Sequence, residues 1–472
     1  MDNEAFRRHG HEIVDWLADY FRDIETRPIV PAVVPGDLRR SLPTAAPLAG
    51  EPFEQILSDF REQVLPGITH WGHPGWFAYF PSNTSPPSVL AEFLTAGLGA
   101  QCMSWVTSPA ATELEQVVMV WYRQLLGLSD AFTGVIQDSA STATFVAFLT
   151  ARERLADDAG RMTAYWTSQA HSSIPKGARL TGIPVDRCRI IPVDDAFAMR
   201  SDALMTAMAE DVEQGLVPGI VVATIGTTSS TACDPLRSIG EAARQHGAWY
   251  HVDGAYGGSA AILPEARPLL DGVELADSFV TNPHKWMMTS FDCSTYFVRD
   301  VDGLLRTFAA NPEYLRTRHD AEVVNYRDWG IPLGRRFRAL KLWFVLRSYG
   351  VAGLQALIRK HIAMGQQLAQ WVDEAAGWER LAPAPLGLVC LRHVPKALAG
   401  DEAVLAAHNA ALMERVNGSG RVYLTHTVLD GKYAIRVAIG AWRTERRNVE
   451  EVWELLKREA RSEKGEAGAL SP

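Results

Sequence analysis

Thr281-Asn282-Pro283-His284-Lys285-Trp286 follows a short strand-like run, Asp277 to Val280, and decides how the rest of the chain is read. Asn-Pro fixes a turn, and the residues around Lys285 surround its amine with apolar or aromatic bulk. A lysine removed from water has a lowered pKa, so part of it is free amine able to attack an aldehyde and form a Schiff base. A lone lysine after a strand is an ordinary surface residue in most proteins, so a second group has to carry the case. Asp253 stands 32 residues upstream in Trp249-Tyr250-His251-Val252-Asp253-Gly254-Ala255-Tyr256-Gly257-Gly258, another buried-strand pattern that ends abruptly in small residues. Open α/β sheets place their ligand-binding groups at such strand ends.

An amine of this kind with a carboxylate partner is what pyridoxal phosphate requires, the carboxylate facing the pyridinium nitrogen. That cofactor also brings a dianionic phosphate, which a helix N-terminus with small hydroxyl residues holds through free N–H groups and the helix dipole. Ser139-Ala140-Ser141-Thr142 lies between a strand ending at Gln137 and a following helix. It reads equally as an ordinary N-cap. His171, in Gln169-Ala170-His171-Ser172-Ser173, reads either as a buried structural histidine or as a ring stacked on the cofactor.

The chain has 472 residues, enough for one large domain with smaller flanking pieces. Hydrophobic residues make up 47% and charged residues 21%, the composition of a globular protein. A net charge of −9 without a long basic run argues against a nucleic-acid or anionic-membrane surface and for a small-molecule ligand. The five cysteines are scattered and odd in number, which points to a reducing cytoplasm rather than a disulfide framework. The N-terminal residues lack an export pattern, and no window approaches 18 uninterrupted apolar residues.

Residues 4 to 25 carry Phe6, His9, Ile13, Val14, Leu17, Tyr20, Phe21 and Ile24 at helical spacing, an amphipathic face that needs a partner surface, in the same chain or a second subunit. Ser41 to Pro52 reads as a linker. Thr69 to Pro81 is dense in aromatics without a clean period and reads as hydrophobic filling or a pocket wall. His70 and His73 lack a third ligand at metal spacing, so no metal is expected.

From residue 86 helical and strand-like patterns alternate, the signature of an α/β domain with a mostly parallel sheet. Helices are expected over Leu114 to Leu126, Thr142 to Ala156 and Pro235 to His246. Strands are expected over Gly134 to Gln137, Met162 to Trp166, Gly219 to Ile225 and Ala248 to Val252. A long helix near 340 to 365 leads into helix, strand, strand and helix over Glu402 to Val416, Arg421 to Thr427, Tyr433 to Ala438 and Thr444 to Glu459. The expected divisions are an N-terminal helical segment, 1–85, packing on a partner subunit, a large cofactor domain, 86–345, and a small α+β domain, 346–472.

Six motifs, in order, resemble the pyridoxal-phosphate-dependent group II decarboxylases, in particular those acting on aromatic L-amino acids. They are Gly134 to Ser141, Ala170 to Ser173, Ala223 to Thr228, His251 to Asp253, Asn282 to Trp286 and Ile331 to Arg338. The resemblance implies a fold-type I enzyme of the aspartate aminotransferase kind, with a mostly parallel seven-stranded sheet, working as a homodimer. It casts Lys285 as the lysine that carries the cofactor and Asp253 as the partner of its ring nitrogen. Ala255 and His171 would take the two ring faces. Ser139, Ala140, Ser141 and Asn282 would hold the phosphate, with Gly334 reaching it from the second subunit. Thr228 would support the cofactor near Asp253, and His284 precedes the lysine as in relatives.

The resemblance also makes Tyr314 the lid tyrosine that protonates Cα after CO₂ leaves, and Trp71, Tyr79, Phe80 and Pro81 the aromatic substrate wall, with His171 beside it. Met103, contributed across the dimer, stands where animal relatives have Phe. Asp138 stands where they have Gly, and the loop after Tyr314 is about two residues shorter. The wall suits an indole or phenyl ring better than a carboxylate side chain, which would need a cationic partner. The oxidative branch of the family, which makes aldehydes, replaces either the lid tyrosine or the stacking histidine. Both are kept here, which favours simple decarboxylation to the amine over an aldehyde synthase or a histidine or glutamate decarboxylase.

Overall fold

The computed structural model describes residues 1–310, 313, 319 and 322–466. Its central sheet is built from β1 (Thr133–Gln137), β2 (Met162–Thr167), β3 (Cys188–Ile191), β4 (Val217–Thr224), β5 (Trp249–Asp253), β6 (Ser278–Thr281) and β7 (Ser294–Val298), in the order β1-β7-β6-β5-β4-β2-β3. Strands β2 to β6 are mutually parallel, and β7 runs antiparallel to both its neighbours, β6 and β1. Hence β1 points the same way as β6, and the carboxyl ends of β1, β2, β4, β5 and β6 open on one edge of the sheet.

The reason lies in strands apolar on both faces, which only a sheet covered on both sides can bury. In β4, Ile220 and Val222 face Val146 and Phe148 of the Ala140–Leu155 helix, while Val221 and Ala223 pack on the opposite side with Leu236 and Ile239. Gly127, at φ 73°, ends the Pro109–Leu126 helix in the left-handed conformation open to glycine.

A second, antiparallel sheet contains β8 (Trp378–Arg380), β9 (Leu388–His393), β10 (Thr425–Leu429) and β11 (Lys432–Ala438), ordered β10-β11-β9-β8. The Glu402–Gly418 and Arg446–Glu466 helices accompany it. The strand expected from Arg421 starts at Thr425, because Asn417 ties down Leu424 at both its N–H and its carbonyl, at 2.7 and 3.1 Å, and holds the preceding stretch as a loop. Strands β3, β7, β8 and β9 had no sequence reading: β3 and β8 are very short, β7 opens on Ser-Thr, and β9 is a buried run without alternation.

The long helix expected near 340 to 365 spans Arg338–Glu374 and breaks at Gly350, whose φ of 63° and ψ of 173° are not helical. Its Leu342, Val345 and Ile358 pack into the core of the large sheet, and its Met364, Leu368 and Val372 into that of the small one. Residues around Trp76 lie along the small sheet as well: the Phe77 N–H donates to the Tyr423 carbonyl at 3.0 Å, and the Ala438 N–H to the Phe77 carbonyl at 2.9 Å. Among the described residues no helix is long and apolar enough to cross a membrane. All five cysteines are free.

Candidate active site

Strand β5 ends at Asp253, which is 4% exposed and accepts the Ala255 N–H at 3.0 Å. On the neighbouring strand β6 ends at Thr281, and Asn282 then starts a one-turn helix, Pro283–Trp286, that carries Lys285. The Asn282 N–H donates to the Ala255 carbonyl at 3.1 Å, so the segments after the two strand ends are joined directly. The Lys285 amine has no hydrogen-bond or ion-pair partner among the described residues. Burial pushes it below the ordinary lysine value, and the charge of Asp253 pushes it back up.

Lys285 lies on the wall of a cavity of about 570 Å³ together with Trp71, Tyr79, Phe80, Pro81, His171, Thr228 and His284. These are sequence-predicted site residues, brought together from four separate stretches of chain. The Lys285 Nζ sits 5.5 Å from the centroid of the Phe80 ring, and Phe80 stacks on Tyr256 at 4.0 Å. Trp71 and Tyr79 stack on each other with centroids 5.5 Å apart. Tyr79 holds φ at 51°, a left-handed conformation uncommon for a bulky residue, on the wall of the cavity.

The histidines are in defined states. Nδ1 of His171 accepts the Ser173 N–H at 3.1 Å, which puts its proton on Nε2 in the neutral ring. Burial lowers its pKa, Asp253 raises it, and the charge of Lys285 lowers it further. Nδ1 of His284 accepts the Cys293 N–H at 2.9 Å, and burial, reinforced by Lys285, pushes His284 down to about 3. Both rings are neutral at pH 7.

Ser139 caps the Ala140–Leu155 helix, its Oγ accepting the Thr142 N–H at 3.2 Å. This helix starts at the same sheet edge: Gln137, the last residue of β1, is level with Ser294, whose hydroxyl donates to Asn282 Oδ1 at 2.6 Å. Ser139, Ala140 and Ser141 therefore flank the cavity without lining it. Ala255 is buried two residues past Asp253. Met103 and Gly334 do not line the cavity; the Gly334 segment is tied to Gln101, whose Oε1 accepts the Arg335 N–H at 2.7 Å. Tyr314 lies outside the described residues.

Three wall residues had no sequence reading: Ser82, Phe291 and Arg436. Arg436, on β11, donates to the carbonyls of Thr228, Ser229 and Tyr79 at 2.8, 3.3 and 3.4 Å and to Thr425 Oγ1 at 3.0 Å. No carboxylate pairs with it among the described residues, and burial lowers its pKa. The available signal was a charged residue inside the apolar run Ala434-Ile435-Arg436-Val437-Ala438.

A partly buried, unpaired amine near a buried carboxylate, a neutral histidine and a capped helix N-terminus at one sheet edge fits the aldehyde, ring nitrogen and phosphate of pyridoxal phosphate. Residues 35–394 match the model of the pyridoxal-dependent decarboxylase conserved domain. The chain belongs to the pyridoxal-dependent decarboxylase family. Within that family it is 44% identical to a phenylacetaldehyde synthase of Arabidopsis thaliana over 98% of this chain and 96% of the relative. It is 42% identical to tryptophan decarboxylase 2 of Oryza sativa subsp. japonica over 98% and 95%. The crystal structure of Oryza sativa TDC with PLP and tryptamine superposes with a TM-score of 0.95 at 37% identity, covering 98% of this chain and 99% of that one. As a family member of the aromatic amino-acid decarboxylase type, the chain is a carboxy-lyase whose cofactor is pyridoxal 5′-phosphate.

Proposed function

We propose that the chain decarboxylates aromatic L-amino acids to the corresponding amines and CO₂. The carrying observation is the unpaired, partly buried Lys285 amine, whose charge is coupled to that of Asp253, in a cavity walled by Trp71, Tyr79 and Phe80. Bound there, pyridoxal phosphate supplies the electron sink for the pair left on Cα when CO₂ departs. Lys285 is the residue that holds it. Asp253 keeps a proton on the ring nitrogen by placing a negative charge beside it. His171 and Ala255 take the two ring faces, Thr228 supports the cofactor beside Asp253, and His284 adjoins the lysine. Ser139, Ala140, Ser141 and Asn282 bind phosphate.

The aromatic wall accepts a phenyl or indole side chain. The guanidinium of Arg436, hydrogen-bonded but without an acidic partner among the described residues, is the cation available to the substrate carboxylate, since an anion offsets a buried charge that neutral acceptors leave uncompensated. Tyr314 is assigned to the return of a proton to Cα.

The same reading includes a homodimer. The Asn3–Asp23 and Pro86–Leu98 helices border an apolar groove of about 680 Å³ that includes Phe6, Ile13, Val14, Leu90 and Phe93. Phe6, Leu90 and Phe93 are about half exposed, at 57%, 49% and 49%. A second copy of the chain is the occupant that would also bring Met103 and Gly334 to the neighbouring site.

Aldehyde synthesis is the alternative, given the likeness to a phenylacetaldehyde synthase. The test is a mass-spectrometric product screen on the cofactor-loaded protein with the aromatic amino acids, run with a peroxide readout. Amine without peroxide is expected. Aldehyde, ammonia and peroxide at the expense of O₂ would move the protein to the oxidative branch. Tyr314→Phe is expected to shift product from amine to aldehyde, and an unchanged amine yield would remove Tyr314 from the proton transfer.

A further inference from the structure

The Pro283–Trp286 helix is only four residues long, and a single turn cannot hold its own geometry in isolation. The stretch Ser82-Asn83-Thr84-Ser85-Pro86-Pro87-Ser88 closes over it. Asn83, 2% exposed, donates from Nδ2 to the Lys285 carbonyl at 2.6 Å and to the Gly440 carbonyl at 2.9 Å. Its Oδ1 accepts the Trp442 N–H at 2.8 Å, and its own N–H donates to the His284 carbonyl at 3.2 Å. The two carbonyls on one side and the N–H on the other fix which way the amide points, and both amide hydrogens and the oxygen are used.

We propose that Asn83 is a positioning residue for Lys285: by clamping the Lys285 carbonyl to the loop after β11, it sets the direction in which the lysine side chain leaves the backbone. This rests on the reading of Lys285 as the cofactor lysine. The Lys285 carbonyl begins the peptide plane shared with Trp286, so its orientation governs both side chains. Because Gly440 and Trp442 follow β11, the same amide also registers the small sheet against the lysine turn. Neighbouring bonds of the clasp lack this reach. Ser85 Oγ donates to the Met288 carbonyl at 2.6 Å, and Ser88 Oγ donates to Ser290 Oγ at 2.7 Å and accepts the Ser290 N–H at 2.7 Å. They hold the loop beyond the lysine and do not touch Lys285.

The experiment measures how fast pyridoxal phosphate becomes attached at Lys285 when added to the cofactor-free full-length protein, by borohydride trapping at intervals and peptide mass spectrometry. Asn83→Ala removes all three side-chain bonds. Asn83→Asp keeps the volume and the acceptor for Trp442 but sets oxygen against two carbonyls, and it carries the test if the alanine variant fails to fold. Ser88→Ala breaks the clasp away from the lysine and is the structural control. Attachment is expected about a hundredfold slower in both Asn83 variants and within about twofold of the unmodified protein in Ser88→Ala, since small misplacements of a reacting group cost rates of that order. Asn83 variants that react at the Ser88→Ala rate would overturn the proposal. Failure of the unmodified protein to be labelled at Lys285 would instead bring down the site reading, and this inference with it.

Discussion

Trp286, the residue after Lys285, donates its indole N–H to Nδ1 of His361 across 2.9 Å, with the two ring planes 5° apart. Tyr256 stacks on the indole at 4.6 Å and Phe80 on Tyr256 at 4.0 Å, so four rings run from the cavity wall to the long Arg338–Glu374 helix. The lysine turn is thus held by Asn83 through its backbone and by His361 through its next side chain.

Replacing His361 by Leu leaves the Trp286 N–H buried without an acceptor. A loss of about 1–3 kcal/mol in folding free energy is expected, the desolvation cost of an orphaned donor. His361→Gln, whose amide oxygen can accept, should recover part of it. Urea unfolding of the three proteins checks the ordering. Equal midpoints for His361→Leu and the unmodified protein would mean that the indole finds another acceptor.

Acid should destabilise the fold through three buried histidines. Burial pushes His251 down to about 4 and His284 and His361 down to about 3, against an ordinary value of 6.5. In the folded protein all three stay neutral below pH 6.5, while the unfolded chain takes up protons there. Stability is therefore fully present above 6.5 and falls as pH drops toward the folded values, by about 1.4 kcal/mol per pH unit for each histidine. Denaturant midpoints from pH 7 to 5 read this slope, and His361→Gln should make it shallower. A flat profile would be incompatible with neutral buried rings.

In the large sheet β1, β2, β4, β5 and β6 were legible as short, largely apolar runs, several of them followed by a helix with a 3.6-residue period, whereas β3 and β7, interrupted by Arg, Ser and Thr, were not. Asp253 was legible as a charged residue ending a buried strand, and Lys285, in the turn after the next strand, only in combination with it. Asn83 carried no comparable mark, and the mark on Arg436, a charge inside an apolar run, did not say what it would face. Asn83 sits in a run of Ser, Thr and Pro that reads as a surface turn, and its burial comes from Gly440 and Trp442, more than 350 residues away. Arg436 lies on a strand whose partner face is made by the Thr228 loop and Tyr79, a proximity that no local period encodes.

Lys285→Ala should abolish turnover, since among the described residues no other lysine lines the cavity. Asp253→Asn separates two effects. Removing its charge lets burial act on Lys285 unopposed, so the lysine pKa, already below its ordinary value, should fall further and carry the pH midpoint for cofactor attachment down with it. Turnover should drop by about a hundredfold or more, because the cofactor ring nitrogen loses the carboxylate that keeps it protonated. An attachment profile that moves to higher pH in Asp253→Asn would mean that the Asp253 charge does not hold the Lys285 pKa up.

Arg436 separates binding of the carboxylate from upkeep of the wall. Its guanidinium is buried without an acidic partner and also donates to three carbonyls and a hydroxyl, so Arg436→Met removes a cation and loosens Tyr79 and Thr228 together. A charge-assisted bond to a substrate carboxylate is worth about 1.5–3 kcal/mol, or roughly ten- to a hundredfold in kcat/KM. The product amine has the same ring and no carboxylate. If Arg436 meets the carboxylate, Arg436→Met raises the KM for the amino acid at least about tenfold while inhibition by the amine stays within about threefold. If both weaken together, the arginine serves the wall alone, and the carboxylate is held by His171, Thr228 or another cavity group. Parallel measurements of KM and product inhibition on Arg436→Met and Arg436→Lys decide between them, and the lysine variant should recover affinity for the amino acid only in the first case.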